Sequence, residues 1–275
     1  MPPLFSIITV CLNCKDKLVD TASSLTNQTF KDYEYIIKDG VSSDGTQDII
    51  NNVNADIVVS AHDTGIFDAM NQALKLSKGE YIYFLNAGDL LHDSKVLADI
   101  ASKIHLSTKK ADLYYSDVVK PYARRRYLFH PEKISGYYLF ARGLCHQSWF
   151  LKREVYITMN GFNIYYKEKN IELAGDYLLL LELFLIHNIT ALHISRFAII
   201  YEGGGVSSDL TTLNKRLQYE RKVKKDLFGY IKFYLYQSIY LVESFFKKII
   251  YNKYLYIFAA KINQYRANKI IKQSL

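Results

Sequence analysis

Short apolar runs alternate with helix-like segments over the first 90 residues of the chain. Four runs rich in β-branched and aromatic residues predict buried strands at residues 5–10, 33–39, 56–61 and 80–86. Between them, residues 15–29 and 65–79 carry apolar positions at helical spacing, and a short helix is predicted to begin near Thr46. Strands and helices that alternate in this way predict βαβ units and a parallel, doubly wound α/β sheet.

Local signals predict where the helices begin and end. In the first helix, Leu18, Ala22 and Leu25 fall on one face, which we expect to be buried. Ser43 or Asp44 is expected to cap the short helix that follows the second strand. A glycine is the usual residue after the last helical turn, so Gly79 is expected to end the helix of residues 65–79.

The second half of the chain follows a different pattern. Residues 112–119 and 193–202 predict strands, and an apolar helix is predicted between them at residues 175–188. From about residue 213 onward the chain is helical in pattern, basic and aromatic. The sequence therefore predicts two units, an α/β domain over residues 1–211 and a helical extension over residues 212–275.

Charge differs sharply between these two units. The net charge is +8, with 49% hydrophobic and 23% charged residues, which is a globular composition. Residues 212–275 contain 14 basic and 3 acidic residues, whereas residues 1–211 contain 21 and 24. Such asymmetry favours a polyanionic partner, either an anionic membrane surface or nucleic acid. The mildly acidic body and the lack of a recognised nucleic-acid-binding motif argue against nucleic acid.

Cysteine usage and hydropathy indicate a cytoplasmic protein. Three cysteines form no disulfide framework, so a reducing compartment is expected. The first ten residues lack the basic start and long apolar run of a signal peptide. Residues 227–246 are long enough to span a membrane, but they include Lys232 and Glu243, which a buried span tolerates poorly.

Carboxylates follow two of the predicted strands. Asp39 closes the strand of residues 33–39, and Asp89 ends the turn Asn86-Ala87-Gly88-Asp89 after the strand of residues 80–86. Ligands of open α/β sheets bind beyond the carboxyl ends of the strands, so both carboxylates are candidates for a ligand site. The structural alternative for each is a turn or a helix cap.

Two further motifs lie in the same region. Asp63-Thr64-Gly65 also occurs in aspartic proteases, but those need two facing copies on a β-rich frame, and here one copy occurs in an α/β pattern. Asp68 and Asn71, three residues apart on one helical face, could line the sheet edge with Asp63. Cys11 and Cys14 form a CxxC after a strand, as redox proteins do, although ordinary buried thiols are the more common case.

Three candidates come from the second half. His146 and Gln147 stand among apolar neighbours, where they could bind a sugar hydroxyl or serve the packing. Asp176 starts the apolar helix, either as an acid favoured by the helix dipole or as a general base that faces a cleft. Residues 201–208 form a glycine-rich loop that can approach a ligand closely but lacks the spacing of a P-loop.

Taken in order, these segments resemble the family 2 glycosyltransferases, which have the GT-A fold. The resemblance runs from about residue 4 to residue 208. It is closest to bacterial enzymes that build O-antigen, capsule or exopolysaccharide. The segments that carry it are FSIITVCLN, IIKDGVSSDGT, DTGIFDAMNQAL, GEYIYFLNAGD, CHQSWF, AGDYLLLLEL and EGGGVSS.

The resemblance implies an inverting transfer of a sugar from a UDP- or GDP-sugar to a lipid-linked or growing glycan acceptor. It implies Mn²⁺ or Mg²⁺ as cofactor and a position on the inner face of the membrane. The residues it implies are Thr9, Asp39, Asp68 and Asn71 for the donor nucleotide, Asp89 for the metal, Asp176 as the catalytic base, and His146 and Gln147 for the acceptor or sugar.

The sequence departs from the family pattern at two positions. The metal-binding motif of the family is Asp-x-Asp, whereas this chain has Asn86-Ala87-Gly88-Asp89, with one acid missing. The family often has an arginine where this chain has Met70, so a different group has to meet the phosphates. The incomplete motif leaves a second hypothesis open, a catalytically silent module that binds nucleotide or glycan.

Overall fold

A computed structural model describes residues 1–121, 127–162, 175–203 and 210–250. The strands are β1 (Phe5–Cys11), β2 (Tyr33–Asp39), β3 (Ile57–Ser60), β4 (Tyr81–Phe84), β5 (Leu90–Leu91), β6 (Leu113–Val119), β7 (Tyr127–Leu128), β8 (Trp149–Lys152) and β9 (Ala191–Ile200). The helices are α1 (Lys15–Thr26), α2 (Thr46–Ile50), α3 (Ile66–Leu74), α4 (Val96–Leu106), α5 (Gly136–Ala141), α6 (Arg153–Thr158), α7 (Gly175–Leu185) and α8 (Leu210–Ile250), with a 3₁₀ turn at His146–Ser148.

These strands form one mixed sheet in the order β3-β2-β1-β4-β8-β6-β9-β5, and β7 pairs with β6. The pairs β1–β2, β1–β4, β2–β3 and β6–β9 are parallel, whereas β8 runs antiparallel to both β4 and β6. The strands β1, β2, β3, β4, β6 and β9 therefore all end at the same edge of the sheet. The prediction of a mostly parallel α/β sheet flanked by helices is confirmed.

Alternation along the strands builds a core on each face of the sheet. In β1, Phe5 and Ile7 join one buried cluster, whereas Ile8 and Val10 join the other. The first cluster includes the apolar faces of α1 and α4, and the second includes those of α3 and α7. Successive side chains of a strand point to opposite faces, so the fully buried runs of β1 and β4 reflect a sheet covered on both sides.

The helix prediction for residues 65–79 was too long. Helix α3 ends at Leu74, and Gly79 lies beyond it, where a Cβ would come within 2.4 Å of the Ser6 amide nitrogen. Gly79 is thus required by the close approach of the chain to β1 rather than by a helix end. The apolar helix predicted at residues 175–188 likewise ends at Leu185.

The short helix α2 begins at Thr46, as predicted, but its first flanking residue is Gly45 rather than Ser43 or Asp44. Gly45 takes a left-handed conformation with φ of 94°, which suits glycine. Asp44 still assists the helix start, because its Oδ1 accepts hydrogen bonds from the amide and the hydroxyl of Thr46.

Helix α8 packs on the body of the protein on both sides of an interruption. Val223, Phe228 and Phe233 are buried in the same core as α3 and α7. The helix is interrupted at Gly229, whose φ and ψ are 72° and 161°. Residues 251–275 of the predicted extension lie outside the described residues, as do residues 204–208 of the glycine-rich loop. Among the described residues, no helix is both long and apolar enough to cross a membrane.

Candidate active site

Asp39 lies at the carboxyl end of β2 and is fully buried. Its two oxygens accept hydrogen bonds from the Val41 and Ser42 amides, the Ser42 and Ser60 hydroxyls and the Gln47 side-chain amide. Burial alone would raise the pKa of this carboxyl, but the bonds from Ser42, Ser60 and Gln47 lower it below its usual value. Asp39 therefore remains ionised and fixes the shape of the loop that follows β2.

A buried ion pair stands beside this loop. The Lys38 ammonium, whose side chain is fully buried, lies 2.9 Å from Asp63 Oδ2 and also donates to the carbonyls of Asp39 and Ala61. Asp63 Oδ1 accepts from the Gly65 amide. The ends of β2 and β3 are thus tied together by charge-assisted bonds, and the donors of Lys38 are committed inside the protein.

Asp89 occupies the same sheet edge at the end of β4, and only 4% of it is exposed. Its Oδ1 accepts one hydrogen bond from the Glu202 amide at 3.1 Å. Leu90 pairs with Ile200 in an antiparallel ladder, and continuing that register places Gly88 opposite Glu202. The Glu202 carboxylate indeed lies directly over Gly88, where its Oε2 would be 2.3 Å from a Cβ at that position.

The electrostatic setting of Asp89 is the reverse of that of Asp39. Burial raises the pKa of Asp89 to about 7, the amide of Glu202 opposes this shift, and the Glu202 carboxylate adds to it. The charges of Lys17 and Lys120 lower the pKa of Asp89, but not enough to return it to the ordinary aspartate value of 3.8. The protein neighbours of Asp89 therefore stabilise its ionised form only weakly. A carboxylate that binds a cation is expected to have such surroundings.

His146 and Gln147 lie in the 3₁₀ turn between α5 and β8. The imidazole of His146 is buried and packs against the rings of Phe84, Trp149 and Phe162 at centroid distances of 5.6, 4.9 and 5.5 Å. Burial lowers the pKa of His146 to about 4, against the carboxylate of Asp176, so His146 is neutral near pH 7. Gln147 is half-buried, and its Oε1 accepts from the Cys145 thiol.

Asp176 stands in the first turn of α7, where its Oδ1 accepts from the Tyr177 amide at 2.8 Å. Burial raises the pKa of the Cys145 thiol to about 11, and the carboxylates of Asp89 and Asp176 add to this shift. Both carboxylates are therefore near enough to Cys145 for their charges to act on its thiol. The charges of Asp89 and Asp176 thus both reach Cys145, next to His146, on the side of the sheet where β4 ends and β8 begins.

The other predicted donor residues take part in internal contacts. The Thr9 hydroxyl is fully buried and donates to the Leu85 carbonyl at 2.7 Å. Asp68 Oδ2 accepts from the Thr64 amide and from Gln72, which closes the first turn of α3. Asn71 Oδ1 accepts from the Phe162 amide at 2.8 Å. These side chains shape the walls of the edge rather than project into open space.

Several residues of the site were missed by the sequence reasoning. Glu202 was noticed only as part of a glycine-rich loop, and Lys17 was one charged residue among several in α1. Glu220 of α8 is near enough to Asp176 that this carboxylate raises its pKa, although burial is the larger cause. No local pattern marks these three residues, because their place in the site depends on strand register and helix packing.

The donor set at Asp89 fits a hard divalent cation. Asp89 supplies carboxylate oxygens, which Mn²⁺ and Mg²⁺ prefer. The Oδ1 atom of Asn86, in the same turn, is buried without a hydrogen-bond partner. Among the described residues, no group of three or more His, Cys, Asp or Glu side chains could hold a metal by themselves.

Comparison with known proteins agrees with this arrangement. Residues 6–159 match the profile of Glycosyl transferase family 2. A PGL/p-HBAD biosynthesis glycosyltransferase of Mycobacterium tuberculosis is 33% identical over 172 residues, 60% of this chain and 65% of the relative. The match thus spans just under two thirds of that relative's length.

Two further proteins extend the comparison. The UDP-Glc:alpha-D-GlcNAc-diphosphoundecaprenol beta-1,3-glucosyltransferase WfaP of Escherichia coli is 38% identical over 118 residues, 42% of this chain and 45% of that protein. The structure of a mannosyltransferase from Pyrobaculum calidifontis in complex with GDP-Man and Mn²⁺ superposes with a TM-score of 0.55 at 13% identity, covering 97% of this chain and 85% of that one. This last likeness concerns the fold.

Proposed function

Because the chain belongs to glycosyl transferase family 2, we propose that it transfers one sugar from a UDP- or GDP-sugar, with inversion, to a lipid-linked or growing glycan acceptor. One observation carries the proposal: Asp89, buried in the turn after β4, and Asp176, in the first turn of α7, are both near enough to Cys145 for their charges to raise the pKa of its thiol. In an inverting transfer of this kind, a cation at Asp89 would stabilise the leaving diphosphate, and Asp176 would take the proton of the attacking hydroxyl.

Asp89 would hold Mn²⁺ or Mg²⁺ together with Asn86 and the donor. A bound divalent cation would neutralise the negative charge that develops on the diphosphate leaving group. The mannosyltransferase of similar fold is in complex with Mn²⁺ as well as GDP-Man, which supports a divalent cation here. What this chain contributes by itself is a buried carboxylate whose other partners are few.

Asp176 would accept the proton of the acceptor hydroxyl. It lies in the first turn of α7, and its Oδ1 accepts a hydrogen bond from the Tyr177 amide. His146 is neutral near pH 7, because burial lowers its pKa to about 4 against the charge of Asp176. Gln147 is half-buried whereas His146 is buried, and its side-chain amide can both donate to and accept from a sugar hydroxyl.

The donor nucleotide would lie against the loop that Asp39 fixes. In this proposal Asp39 acts by fixing that loop, whereas Thr9, Asp68 and Asn71 act by holding neighbouring segments, through bonds with Leu85, Thr64 and Phe162. Preorganised loops bind ligands more tightly because less conformational freedom is lost on binding.

The transfer reaction is tested with Asp176→Asn. A panel of UDP- and GDP-sugars with Mn²⁺ first identifies the donor by thermal shift, since a ligand at 100 times its Kd stabilises by about 2.7 kcal/mol. Asparagine keeps the size of Asp176 but cannot accept a proton, so transfer should fall by roughly 10²-fold or more with donor affinity nearly unchanged. Wild-type turnover in the variant would place the base elsewhere. A protein that binds donor without any turnover would support the silent module.

We also propose that α8 attaches the enzyme to an anionic membrane surface on the cytoplasmic side. Beyond the interruption at Gly229, large apolar side chains are exposed on this helix, including Tyr230, Ile231, Tyr234, Leu235, Ile239, Tyr240, Leu241 and Val242. Such side chains embed at headgroup depth, and nearby lysines such as Lys232 attract anionic lipid, each by about 1 kcal/mol. Residues 212–275 would then form a functional unit distinct from residues 1–211, beside a lipid-linked acceptor.

Liposome co-sedimentation tests this attachment. The triple variant Ile231→Ser, Leu235→Ser and Leu241→Ser changes side chains that are 84%, 55% and 59% exposed, so the fold should be retained. The matched control replaces Leu106, Ile157 and Ile186, which are 78%, 52% and 49% exposed on other elements. We expect only the first variant to lose binding to anionic vesicles. Equal binding of both variants would contradict the proposed anchor.

A further inference from the structure

Helix α1 lies between the two ends of the proposed donor site. The sheet order β2-β1-β4 places the start of α1, which follows β1, between the loop fixed by Asp39 and the turn that carries Asp89. If the base of a nucleoside diphosphate lies at the loop fixed by Asp39 and its cation lies at the turn of Asp89, its phosphates lie close to the start of α1. Any role of α1 in binding the donor therefore rests on the proposed function.

Hydrogen bonds fix α1 to both loops. On the nucleotide side, the Ser43 amide donates to Asn13 Oδ1 at 2.9 Å and the Lys15 amide donates to Asp44. On the cation side, the Thr21 hydroxyl donates to the Asp89 carbonyl at 3.0 Å and accepts from the Gly88 amide at 2.9 Å. The position of the helix start relative to both loops is thus set by the protein itself.

Lys17 projects from this helix toward the turn of Asp89. Its Nζ lies 2.9 Å from Glu202 Oε2, and its Cδ lies 3.3 Å from where a Cβ of Gly88 would be. The side chain of Lys17 is 52% exposed and that of Glu202 is 36% exposed. The ammonium therefore stands at the open surface over the cation side of the site, held there by one carboxylate.

The other basic groups near this edge are less suited to a diphosphate. Lys38 is fully buried and bonded to Asp63 and two carbonyls. Lys120 lowers the pKa of Asp89 less than Lys17 does, and its ammonium lies 4.9 Å from the centre of the Tyr201 ring. Met70, at the position where the family often has arginine, is 1% exposed and packed in the core.

We propose that Lys17 is the residue that binds the donor diphosphate, and that Glu202 positions it. An ammonium has three N–H donors, of which the contact with Glu202 uses one, so Lys17 can bind phosphate without leaving Glu202. Ionic hydrogen bonds to phosphate are the stronger kind, and lysine serves as a point charge for them. Glu202 keeps the ammonium over Gly88, next to the carboxylate that would hold the cation.

Calorimetric titration of the full-length protein with UDP, GDP and UMP, in the presence of Mn²⁺, tests this role. Lys17→Met should weaken nucleoside diphosphate binding by roughly tenfold, since a hydrogen bond to a charged group is of that strength. UMP lacks the second phosphate, so its affinity should change by much less. Lys17→Arg, which keeps the charge, should restore most of the diphosphate affinity.

Lys103→Met is the matched control, because it removes one exposed lysine from the last turn of α4. That turn lies at the opposite edge, since the neighbouring His105 lines a cleft with Leu4 and Glu80 at the strand starts. The assignment of Lys17 is overturned if Lys17→Met binds the nucleoside diphosphates as tightly as the wild type does. It is also overturned if Lys103→Met loses as much diphosphate affinity, or if Lys17→Met loses as much affinity for UMP as for the diphosphates. If the wild-type protein binds neither UDP nor GDP, the proposed function itself fails, and this inference fails with it.

Discussion

The ends of β2 and β4 present the same residue type at the same edge of the sheet, yet in opposite states. Asp39 is fully buried and accepts hydrogen bonds from its own loop, from Gln47 and from Ser60, and its pKa is lowered. Asp89 is almost as buried but accepts a single amide bond from Glu202, and its pKa is raised to about 7. A carboxylate that the protein satisfies shapes a loop, whereas one that it leaves unsatisfied is available to a ligand.

The largest expected effect comes from the end of β4. Asp89→Asn keeps the shape and the bond to the Glu202 amide but removes the charge, so cation-assisted transfer should fall by roughly 10³-fold. Steady-state kinetics with Mn²⁺ measures this loss. The far-ultraviolet circular dichroism of the variant should match that of the wild type, because no bond of the fold depends on that charge. If Asp89→Asn retains transfer at the wild-type rate, Asp89 has no catalytic role, and its function does not differ from that of Asp39.

The matching change at β2 should act on stability instead. Asp39→Ala leaves the donors of Ser42, Gln47 and Ser60 buried without their acceptor, which should lower the free energy of unfolding by about 3 kcal/mol. Urea denaturation followed by tryptophan fluorescence gives this value. If Asp39→Ala is as stable as the wild type, other contacts hold the loop, and the structural role given to Asp39 in this comparison is wrong.

The smallest of these effects is a pH dependence. An ordinary aspartate has a pKa of 3.8, whereas that of Asp89 is raised to about 7. Between these values the folded state binds one proton more than the unfolded state, so Asp89 makes the protein less stable as pH rises. From about pH 5 to pH 7 in EDTA, the wild type should lose roughly 2 kcal/mol relative to Asp89→Asn. A constant difference across this range would mean that Asp89 titrates normally.

The sequence predicted the positions of these aspartates but not their different states. A β-branched run followed by an acid is a local pattern, so the placement of Asp39 and Asp89 after β2 and β4 could be inferred directly. The donors that separate their roles come from elsewhere: Ser60 from β3 and the Glu202 amide from beyond β9. Those contacts depend on strand order and register, which no window of residues encodes.

The antiparallel strand β8 shows the same limit. Trp149, Phe150 and Leu151 are buried between β4 and β6, and their apolar run alone does not reveal the direction of the strand. Gly79 is a further example, because a glycine after a helical pattern indicates a helix end, whereas here the close approach to Ser6 requires it. In both cases a distant segment determines what the local sequence does.

Metal-dependent nucleotide binding tests the central claim most directly. UDP and GDP are titrated calorimetrically into wild type, Asp89→Asn and Asp39→Asn, each with Mn²⁺ and with EDTA. We expect Mn²⁺ to strengthen nucleotide binding by at least about tenfold in the wild type and in Asp39→Asn, and to have no effect in Asp89→Asn. If Asp89→Asn keeps the Mn²⁺ enhancement, or if Asp39→Asn loses it to the same degree, the end of β4 is not the cation site.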